Sequence, residues 1–532
     1  CNVAIGKGAL DANTTASGNT AVGTCSLTAN TTGTTNTAIG INSLSANTTA
    51  AYNTAVGGGA LATNTTGCQN AAVGAFALDK NTTGDDNVAM GYATLDANTT
   101  GDLNTAIGKG ALTANTTGSS NTAIGYNALA ASTTVSGSLA LGTCALLSST
   151  SGTGNTALGH RALVCNTTGS ENVAIAFRAL KCNTSGTCNV AISYESLCAN
   201  TTGDNNTAVG FRSLYANTTA DSNTAVGYIA LCTNTTGADN TALGNNALKA
   251  NTTASENTAV GAYALGTNTT GAKLVAVGRG ALQVNTTALS NTAVGYNALT
   301  ENTTGANHVG IGTCALKANT TGQYNNAHGS QALLTNTTGQ KNQSFGGAAL
   351  LRTTTGSCNV AIGHDTMKEN TTGANNVAMG TLALTNNTTS NGNTGIGHCA
   401  LKLVNGAGST NTAIGESAGA SVTTGCFNTL IGHATNPSAN TSIFELVLGH
   451  GGTGKGSATM FVSNVANGVF NTANSTAWTQ TSDRRIKKNI VNNNEGLDKI
   501  NQIQVRDFEY RTKAEVTDFE NAEAAYVDKS GV

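Results

Sequence analysis

Residues 19–35 read NTAVGTCSLTANTTGTT, and this 17-residue unit recurs along most of the chain. Its glycine, Gly23, is followed by equivalent positions at a fixed spacing of 17 as far as Gly397. One extra residue enters within 402–408, after which the spacing resumes through Gly449. The consensus N-T-A-(I/V)-G-x-x-A-L-x-x-N-T-T-G-x-x defines 27 units, in which the first asparagine is position 1. Such a period indicates a repeat protein whose units pack on their neighbours.

The composition excludes several classes of protein. Only 10% of the 532 residues are charged, 65 are glycine and one is proline, whereas an ordinary soluble chain carries about 25% charged residues. Disordered chains combine high net charge with abundant proline, and this chain has a net charge of −2. A nucleic-acid binder would show a basic stripe, which the nearly neutral charge argues against. Membrane insertion would require a run of about 18 apolar residues, and the sequence contains no such run. We therefore expect a fibrous or repeat protein with no nucleic-acid partner and no membrane insertion. Because the chain begins at Cys1 in mid-pattern, without a methionine or signal peptide, it is expected to be a fragment.

Each unit is expected to form β-structure rather than helix. Threonine, asparagine and glycine, which interrupt every unit, are unfavourable in helix interiors. The segment N-T-A-I-G is short, rich in β-branched residues and bounded by glycine, and the A-L segment predicts a second short strand before the N-T-T-G turn. The sequence therefore predicts an all-β fold over residues 1–449, a parallel β-solenoid (β-roll) of 17-residue coils with two strands and two turns each.

Two apolar columns are predicted to form the core. Position 4 is apolar in every unit except at His328, and position 9 is leucine in 23 of the first 24 units, with Met367 as the exception. Position 3 is almost always alanine. A column restricted to small residues indicates the close approach of another backbone, either across the coil or from a neighbouring chain.

A single solenoid of this kind has little apolar surface to bury. Two large apolar residues per coil contribute only ~3–6 kcal/mol, whereas ordering one coil costs on the order of 17 kcal/mol or more in backbone entropy. Ladders of hydrogen bonds and burial against other copies of the chain must make up the difference. We therefore expect a homotrimer or another parallel bundle.

The triplet Asn-Thr-Thr occurs nineteen times, and each copy matches the N-x-(S/T) acceptor for N-glycosylation. The alternative interpretation is that identical turn residues stack as asparagine and threonine ladders along the solenoid. The strict register of the repeat favours the ladders.

The character of the sequence changes at its C-terminal end. Residues 450–481 are expected to form a short β-rich neck, and the last 51 residues hold 19 charged side chains against 33 in the preceding 481. From Ser482 the chain reads SDRRIKKNI. A serine and a lysine five residues apart can act as nucleophile and base where a turn brings them together, provided that desolvation lowers the pKa of the lysine.

Both parts of the chain resemble known families. The pattern N-(T/V)-A-(I/V)-G-x-x-A-L, which covers about 85% of the chain, is similar to the head repeats of trimeric autotransporter adhesins and of some phage tail fibres, which form trimeric parallel β-rolls. It differs from the adhesin heads in its longer unit with an N-T-T-G turn. The string from Ser482 closely resembles the start of the endosialidase-type intramolecular chaperone domain of phage tail spikes and fibres, whose pattern S-D-x-R-(L/I)-K-x-N-I it matches at every fixed position.

The second resemblance implies a self-cleaving chaperone. In that family the domain helps the fibre to trimerise and then cuts itself off. Residues 482–532 are accordingly interpreted as the beginning of an α+β chaperone domain. The family domain normally continues further, so the resemblance does not imply self-cleavage by these residues alone. An uncut capping helix is the alternative. Any enzymatic activity would be that of a single-turnover serine peptidase, and the repeats are not expected to be an enzyme. The implied roles are nucleophile Ser482, general base Lys487, cleavage of the Thr481–Ser482 bond, and supporting residues Asp483, Arg485 and Asn489.

The cysteines and the residues at position 6 provide weaker signals. The thirteen cysteines are expected to be free and to act as small hydrophobes in a reducing cytoplasm, although Cys165 and Cys182 share a column near the short end of disulfide spacing.

Position 6 carries five histidines, and three-fold rings of these histidines would be a candidate metal site. No ligand pattern supports such a site, so neither a metal nor another cofactor is expected. The same column provides either structural stacking or a possible receptor-contact ridge at Tyr92, Tyr126, Phe177, Tyr194, Phe211, Tyr228 and Tyr296.

Together these features predict the shaft of a phage tail fibre, located in the virion, that contributes to host attachment. The expected partners are further copies of the chain and a bacterial surface glycan or protein receptor. The alternatives are a trimeric adhesin on a bacterial cell surface and an ice-binding solenoid, the latter disfavoured because the threonine pairs lie at turns. A depolymerase is disfavoured because no long insertion supplies a carboxylate cleft.

Overall fold

A computed structural model describes residues 1–464, 467–472 and 479–480. The chain divides into two units, Cys1–Gln480 and Thr481–Val532, and the second unit lies outside the described residues. The first is an all-β parallel solenoid that makes one turn per 17-residue unit, which confirms the predicted fold class. The described residues contain no helix, and hence none that could span a membrane.

Each coil contributes one short strand from positions 2–4, and strands of successive coils pair in parallel. The strands are β1 Val3–Ile5, β2 Thr20–Val22, β3 Thr37–Ile39, β4 Thr54–Val56, β5 Ala71–Val73, β6 Val88–Met90, β7 Thr105–Ile107, β8 Thr122–Ile124, β9 Leu139–Leu141, β10 Thr156–Leu158, β11 Val173–Ile175, β12 Val190–Ile192, β13 Thr207–Val209, β14 Thr224–Val226, β15 Thr241–Leu243, β16 Thr258–Val260, β17 Val275–Val277, β18 Thr292–Val294, β19 Val309–Ile311, β20 Asn326–His328, β21 Gln343–Phe345, β22 Val360–Ile362, β23 Val377–Met379, β24 Thr394–Ile396, β25 Thr412–Ile414, β26 Thr429–Ile431, β27 Leu446–His450, β28 Met460–Asn464, β29 Asn467–Asn471 and β30 Thr479–Gln480.

The register follows the sequence repeat without slippage. Thr20 pairs with Thr37 and every other regular pair has the same spacing, whereas Thr394 pairs with Thr412 across the one-residue insertion. The extra residue is therefore absorbed in a turn and leaves the sheet intact. The sheet remains parallel as far as β28, and β29 and β30 then continue it in antiparallel pairs.

The prediction of a second strand in each coil, formed by the A-L segment, is wrong. In the A-L segment, positions 7 and 9 have positive φ angles, for example 55° at Cys25 and 50° at Leu27, which bend the backbone and exclude an extended strand. The segment nevertheless bonds to the next coil, because the Leu27 N–H donates to the Ser43 carbonyl at 3.0 Å. Each coil therefore has one strand, and the rest of its circuit is made of stacked turns.

The core differs from the prediction in one of its two columns. The leucines of position 9 are buried, as expected, from Leu27 onwards. The residues of position 4 face outward: none of the 27 is buried, and twelve are exposed. Side chains alternate along a strand, and position 3 takes the inward orientation in the three-residue strand, so positions 2 and 4 must point away from the core.

The alanines of position 3 pack against their own chain. At Gly310, which occupies this position, an added Cβ would lie 3.2 Å from Leu299 Cδ1 and 3.5 Å from the Ala315 carbonyl oxygen. The close approach that restricts this column to small residues therefore comes from across the solenoid, which decides between the two origins left open by the sequence.

The glycine of position 5 is required by its conformation and by its neighbour. Gly23 has a φ of 140°, and a Cβ there would lie 2.5 Å from the carbonyl oxygen of Gly40 in the next coil. Ala176 and Ser193 occupy the same position with φ angles of 105° and 113°. Non-glycine residues in such a region carry strain of about 1–3 kcal/mol each.

Two buried columns of asparagine, at positions 1 and 12, close each coil and join it to the next. Within one coil, the Nδ2 groups of Asn19 and Asn30 both donate to the Gly33 carbonyl at 2.9 Å. Between coils, Asn19 Oδ1 accepts the Asn36 N–H at 2.9 Å, and Asn30 Oδ1 accepts Asn47 Nδ2 at 2.9 Å. The asparagine of the Asn-Thr-Thr triplet is thus buried in a ladder, which is incompatible with its glycosylation in the folded chain.

The ladder of position 12 breaks where another residue replaces asparagine. Three buried acceptors have no hydrogen-bond partner, namely the Oδ1 atoms of Asn115, Asn336 and Asn387. The residue one coil further along the ladder is a serine, a threonine and a valine respectively. Each orphaned oxygen therefore lies directly before a coil that lacks the donating amide.

We predict that Thr353→Asn stabilises the solenoid. Thr353 is the residue that follows Asn336 in the ladder, and Asn370 Nδ2 now reaches only its hydroxyl, at 3.3 Å. An amide there would satisfy Asn336 Oδ1 and offer Asn370 a better acceptor, and the free energy of unfolding should rise by about 1–2 kcal/mol. Urea denaturation followed by circular dichroism measures this change. The control is Thr355→Asn in the same turn, where the residue is exposed; equal effects of the two changes would refute the ladder as the cause.

Candidate functional site

Four members of the predicted ridge form one continuous stack of rings. Phe177, Tyr194, Phe211 and Tyr228 occupy position 6 of consecutive coils, with ring centroids 5.2–5.3 Å apart and planes within 12° of parallel. His160 extends the stack at 5.5 Å from Phe177. The strand spacing of the solenoid brings the rings to this separation. Because each inner ring is covered on both faces, the inner members present only their edges to solvent.

An ion-pair ladder runs beside the stack at position 7. The Glu195 carboxylate is largely buried and lies 3.5 Å from Arg178 Nη1 and 2.8 Å from Arg212 Nη2. A side-chain hydrogen bond from Nε to Glu195, together with the charge of that carboxylate, raises the pKa of Arg212. The guanidinium carbons of Arg178 and Arg212 also lie close to the stack, 4.8 Å from the Phe177 ring centroid and 5.5 Å from the Phe211 ring centroid. The sequence interpretation missed this ladder, although arginine, glutamate and arginine in one column of consecutive coils were the signal for it.

The ring stack and the strained backbone coincide. Ala176 and Ser193, the two residues that replace the glycine of position 5, directly precede Phe177 and Tyr194. Stacked rings contribute about 0.5–1.5 kcal/mol per pair beyond their buried area, which is comparable to the strain. The structure thus supports the structural-stacking interpretation for this part of the column.

The other three members of the ridge stand apart from the stack. Tyr92 contacts Phe76 edge to face at 6.1 Å and lies below the Lys109 ammonium at 5.9 Å. The Arg279 guanidinium lies 5.9 Å from the Tyr296 ring, and the Tyr126 ring is half exposed. The seven predicted ridge residues therefore share a column but do not form one surface.

One histidine takes the place of an asparagine in the buried ladder of position 1. His308 Nδ1 accepts the Asn325 N–H at 3.1 Å, and Nε2 lies 2.7 Å from the Gly322 carbonyl. These are the roles that Oδ1 and Nδ2 of asparagine play in other coils, so the neutral Nε2–H tautomer fits the site. Burial lowers the pKa of His308 to about 4, against the opposing effect of its backbone hydrogen bonds.

Two of the cysteines, Cys165 and Cys198, have thiols with raised pKa values. All thirteen are free. Burial raises the pKa of Cys198 to about 11, with smaller contributions from Cys182 and Glu195, and burial likewise raises the pKa of Cys165. Thiols with raised pKa values are poor nucleophiles at neutral pH. In the described part of the chain, no group of three or more histidine, cysteine or acidic side chains is arranged to hold a metal ion.

The implied peptidase residues lie outside the described residues. These are Thr481, Ser482, Asp483, Arg485, Lys487 and Asn489. Their roles stay predictions from the sequence.

Comparison with known proteins assigns the end of the chain. Residues 482–525 match the family described as chaperone of endosialidase. No curated protein and no solved structure matches the chain. A solenoid of about 27 turns that precedes an endosialidase-type chaperone domain fits a tail fibre, and specifically a fibre shaft with a trimerisation chaperone. The matched region begins at Ser482, the residue at which the sequence resemblance places the start of the domain.

We predict that His308 makes stability depend on pH. The pKa of the ring is about 4 in the folded chain and about 6.5 when unfolded, so unfolding takes up a proton between these values. The stabilisation is fully present above pH 6.5 and falls as the pH is lowered towards 4. Relative to His308→Asn, the parent should lose about 2 kcal/mol of unfolding free energy between pH 8 and pH 5. Urea denaturation of both proteins at the two pH values measures this, and the same pH dependence in both would contradict it.

Proposed function

We propose that the chain is the shaft of a phage tail fibre, that three copies associate in parallel, and that the complete product of the gene then releases its C-terminal domain by self-cleavage. The fibre would hold its receptor-binding parts against a bacterial surface. The observation that carries the proposal is the match of residues 482–525 to the chaperone of endosialidase, directly after a solenoid of near-identical coils.

The outward column of position 4 supports self-association. It places isoleucine, valine, leucine or methionine on the solvent side of nearly every strand, at exposed fractions of 41% for Ile39, 45% for Met90 and 37% for Ile362. A continuous apolar stripe on a soluble chain is a typical interface with another protein. The stripe repeats in register with the coils, so a second copy in parallel would match it along its length.

The repeat itself creates the need for a chaperone. One coil resembles the next, so parallel solenoids can pair in shifted registers as readily as in the correct one. A domain that aligns three chains at one end removes this ambiguity before the coils associate. Cutting it away afterwards would leave a fibre whose lifetime depends on its unfolding rate rather than on equilibrium.

Contact with the host is proposed for the residues of the ridge. Tyr92, Tyr126 and Tyr296 have exposed rings outside the stack, and within the stack Tyr194 and Tyr228 are also partly exposed to solvent. Tyrosine combines a large apolar surface with a polar hydroxyl, which suits it to interfaces. A bacterial surface glycan or protein is the proposed receptor.

We predict that glutamate in the stripe prevents trimer formation. The change replaces three exposed residues of position 4 in distant coils, and nine buried charges per trimer would oppose association, whereas the single-chain fold should be unaffected because these side chains are already exposed. Native mass spectrometry measures the assembly, and circular dichroism checks the fold. The three substitutions are Ile39→Glu, Met90→Glu and Ile362→Glu.

The matched control places the same charges at exposed threonines of position 14 in the same coils. Trimers should persist in this control, and their persistence in the stripe variant as well would exclude the stripe as the interface. The control substitutions are Thr49→Glu, Thr100→Glu and Thr372→Glu.

We predict that the complete gene product cuts itself between Thr481 and Ser482. Removal of the nucleophile by Ser482→Ala, or of the base by Lys487→Ala, should abolish cutting while trimers still form, because alignment and chemistry are separate tasks of the domain. A denaturing gel of the full-length protein expressed alone reports the cut, and native mass reports the trimer. Efficient cutting of Ser482→Ala would show that the nucleophile is assigned wrongly.

A further inference from the structure

A groove crosses four consecutive coils on the surface formed by positions 6–11. Its first compartment has a volume of about 400 Å³ and its second about 310 Å³. The compartments share Tyr263 and Gln283, so they lie side by side on the surface. The first is lined in addition by Arg279, Gly280, Tyr296 and Asn297, and the second by Asn246, Lys249, Gly266 and Thr267.

One glycine, Gly266, opens the second compartment. Gly266 is the single glycine at position 10 among the regular coils up to Lys402, where the other coils carry larger residues such as lysine, threonine or leucine. The missing side chain leaves a gap between Lys249 and Gln283 of the adjacent coils. In the first compartment the Asn297 side chain packs over Gly280, where an added Cβ would collide with Asn297 Oδ1. The second compartment is therefore a local departure from the repeat.

The charge of the lining has one sign. Lys249 and Arg279 contribute two cations, the amides of Asn246, Gln283 and Asn297 contribute hydrogen-bond donors, and no carboxylate lines either compartment. Among the described residues neither cation takes part in an ion pair, whereas Arg178, Arg212 and Arg352 elsewhere each have a carboxylate partner. Unpaired cations beside amide donors favour an anionic, multiply hydrogen-bonding ligand.

The tyrosines of the groove keep ring surface available. Tyr263 and Tyr296 are 43% and 47% exposed, and among the described residues neither stacks on another ring. This distinguishes them from the inner members of the stack at 177–228, which present only edges. The Arg279 guanidinium lies 5.9 Å from the centroid of the Tyr296 ring, beside its exposed surface. An exposed aromatic ring packs well against the apolar face of a sugar ring, and the hydroxyl at its rim can bond to the sugar.

We infer that this groove binds an acidic oligosaccharide, with the sugar rings against Tyr263 and Tyr296 and the carboxylates at Arg279 and Lys249. Four coils at a spacing of ~4.8 Å span roughly 15 Å, which accommodates about three to four sugar residues. The inference rests on the proposed attachment function for its biological role, and it adds the ligand class and a site that the column of position 6 alone does not define.

Calorimetric titration of the trimeric protein tests the inference. The probe is tetragalacturonate, and maltotetraose serves as a neutral oligosaccharide of the same length. We expect tetragalacturonate to bind with a dissociation constant at least about tenfold lower than that of maltotetraose. Equal affinity for the two, or binding to neither, would overturn the inference. Inorganic phosphate should not displace tetragalacturonate at equal concentration; displacement would identify a simple anion site instead.

Three variants locate the binding. Arg279→Gln removes a cation, Tyr263→Ala removes a ring, and Gly266→Gln fills the depression; each should weaken binding of tetragalacturonate about tenfold. The control Thr113→Gln places the same glutamine at position 10 of another coil and should leave binding unaltered. Unchanged binding in all three groove variants would refute the site. Trimer formation and self-cleavage are measured separately from ligand binding, by native mass and by a denaturing gel. A groove variant that fails to bind tetragalacturonate but still forms trimers is therefore distinguishable from a failure of the proposed fibre assembly.

Discussion

The constraint on which the structure depends is the convergence of two asparagine side chains on one carbonyl in most coils. The Nδ2 groups of positions 1 and 12 donate to the carbonyl of position 15, as Asn19 and Asn30 do to Gly33. Their Oδ1 atoms are thereby oriented along the solenoid, where they accept from the next coil. Buried polar groups are costly unless they are satisfied, so this arrangement is stable only when each coil repeats the last. The strict repetition of the unit from coil to coil follows from that requirement.

The ladders also explain why so small an apolar core is sufficient. Each coil buries one leucine and two small residues, with most of the remaining interior filled by asparagine. Where the pattern changes, the interior changes with it. Gly419 replaces the usual leucine near the C-terminal end, and an added Cβ there would lie 2.9 Å from Leu430 Cδ1, so a leucine from the following coil fills the vacated space. At the last coil, Glu445 takes the position of the first asparagine and accepts the Ser438 N–H.

The outer surface is organised by the same repeat but serves a different purpose. Position 4 presents an apolar stripe, position 6 presents rings in several coils, and position 10 presents mostly polar side chains. Stacking at the strand spacing turns identical residues in adjacent coils into continuous features, such as the stack that includes Tyr194 and Phe211. Conversely, one deviant residue such as Gly266 makes a local recess. A repeat protein can thus encode a site by departing from its consensus in a single coil.

The sequence by itself determined the period, the parallel register, the insertion within 402–408, the buried leucine column and the identity of the C-terminal domain, because these depend on spacing and on a specific string of residues. Only the tertiary structure decided which way the short strands face. A three-residue strand has two equivalent alternations, and hydrophobicity favoured placing position 4 inside, whereas the space between Leu299 and the Ala315 backbone admits only the small residue of position 3. The second strand failed for a related reason: left-handed angles at residues such as Leu27 are imposed by closure of the coil and leave no mark in local propensity. The ion pairs of Glu195 with Arg178 and Arg212 likewise exist only because the coils of the solenoid bring residues 17 apart in sequence into contact.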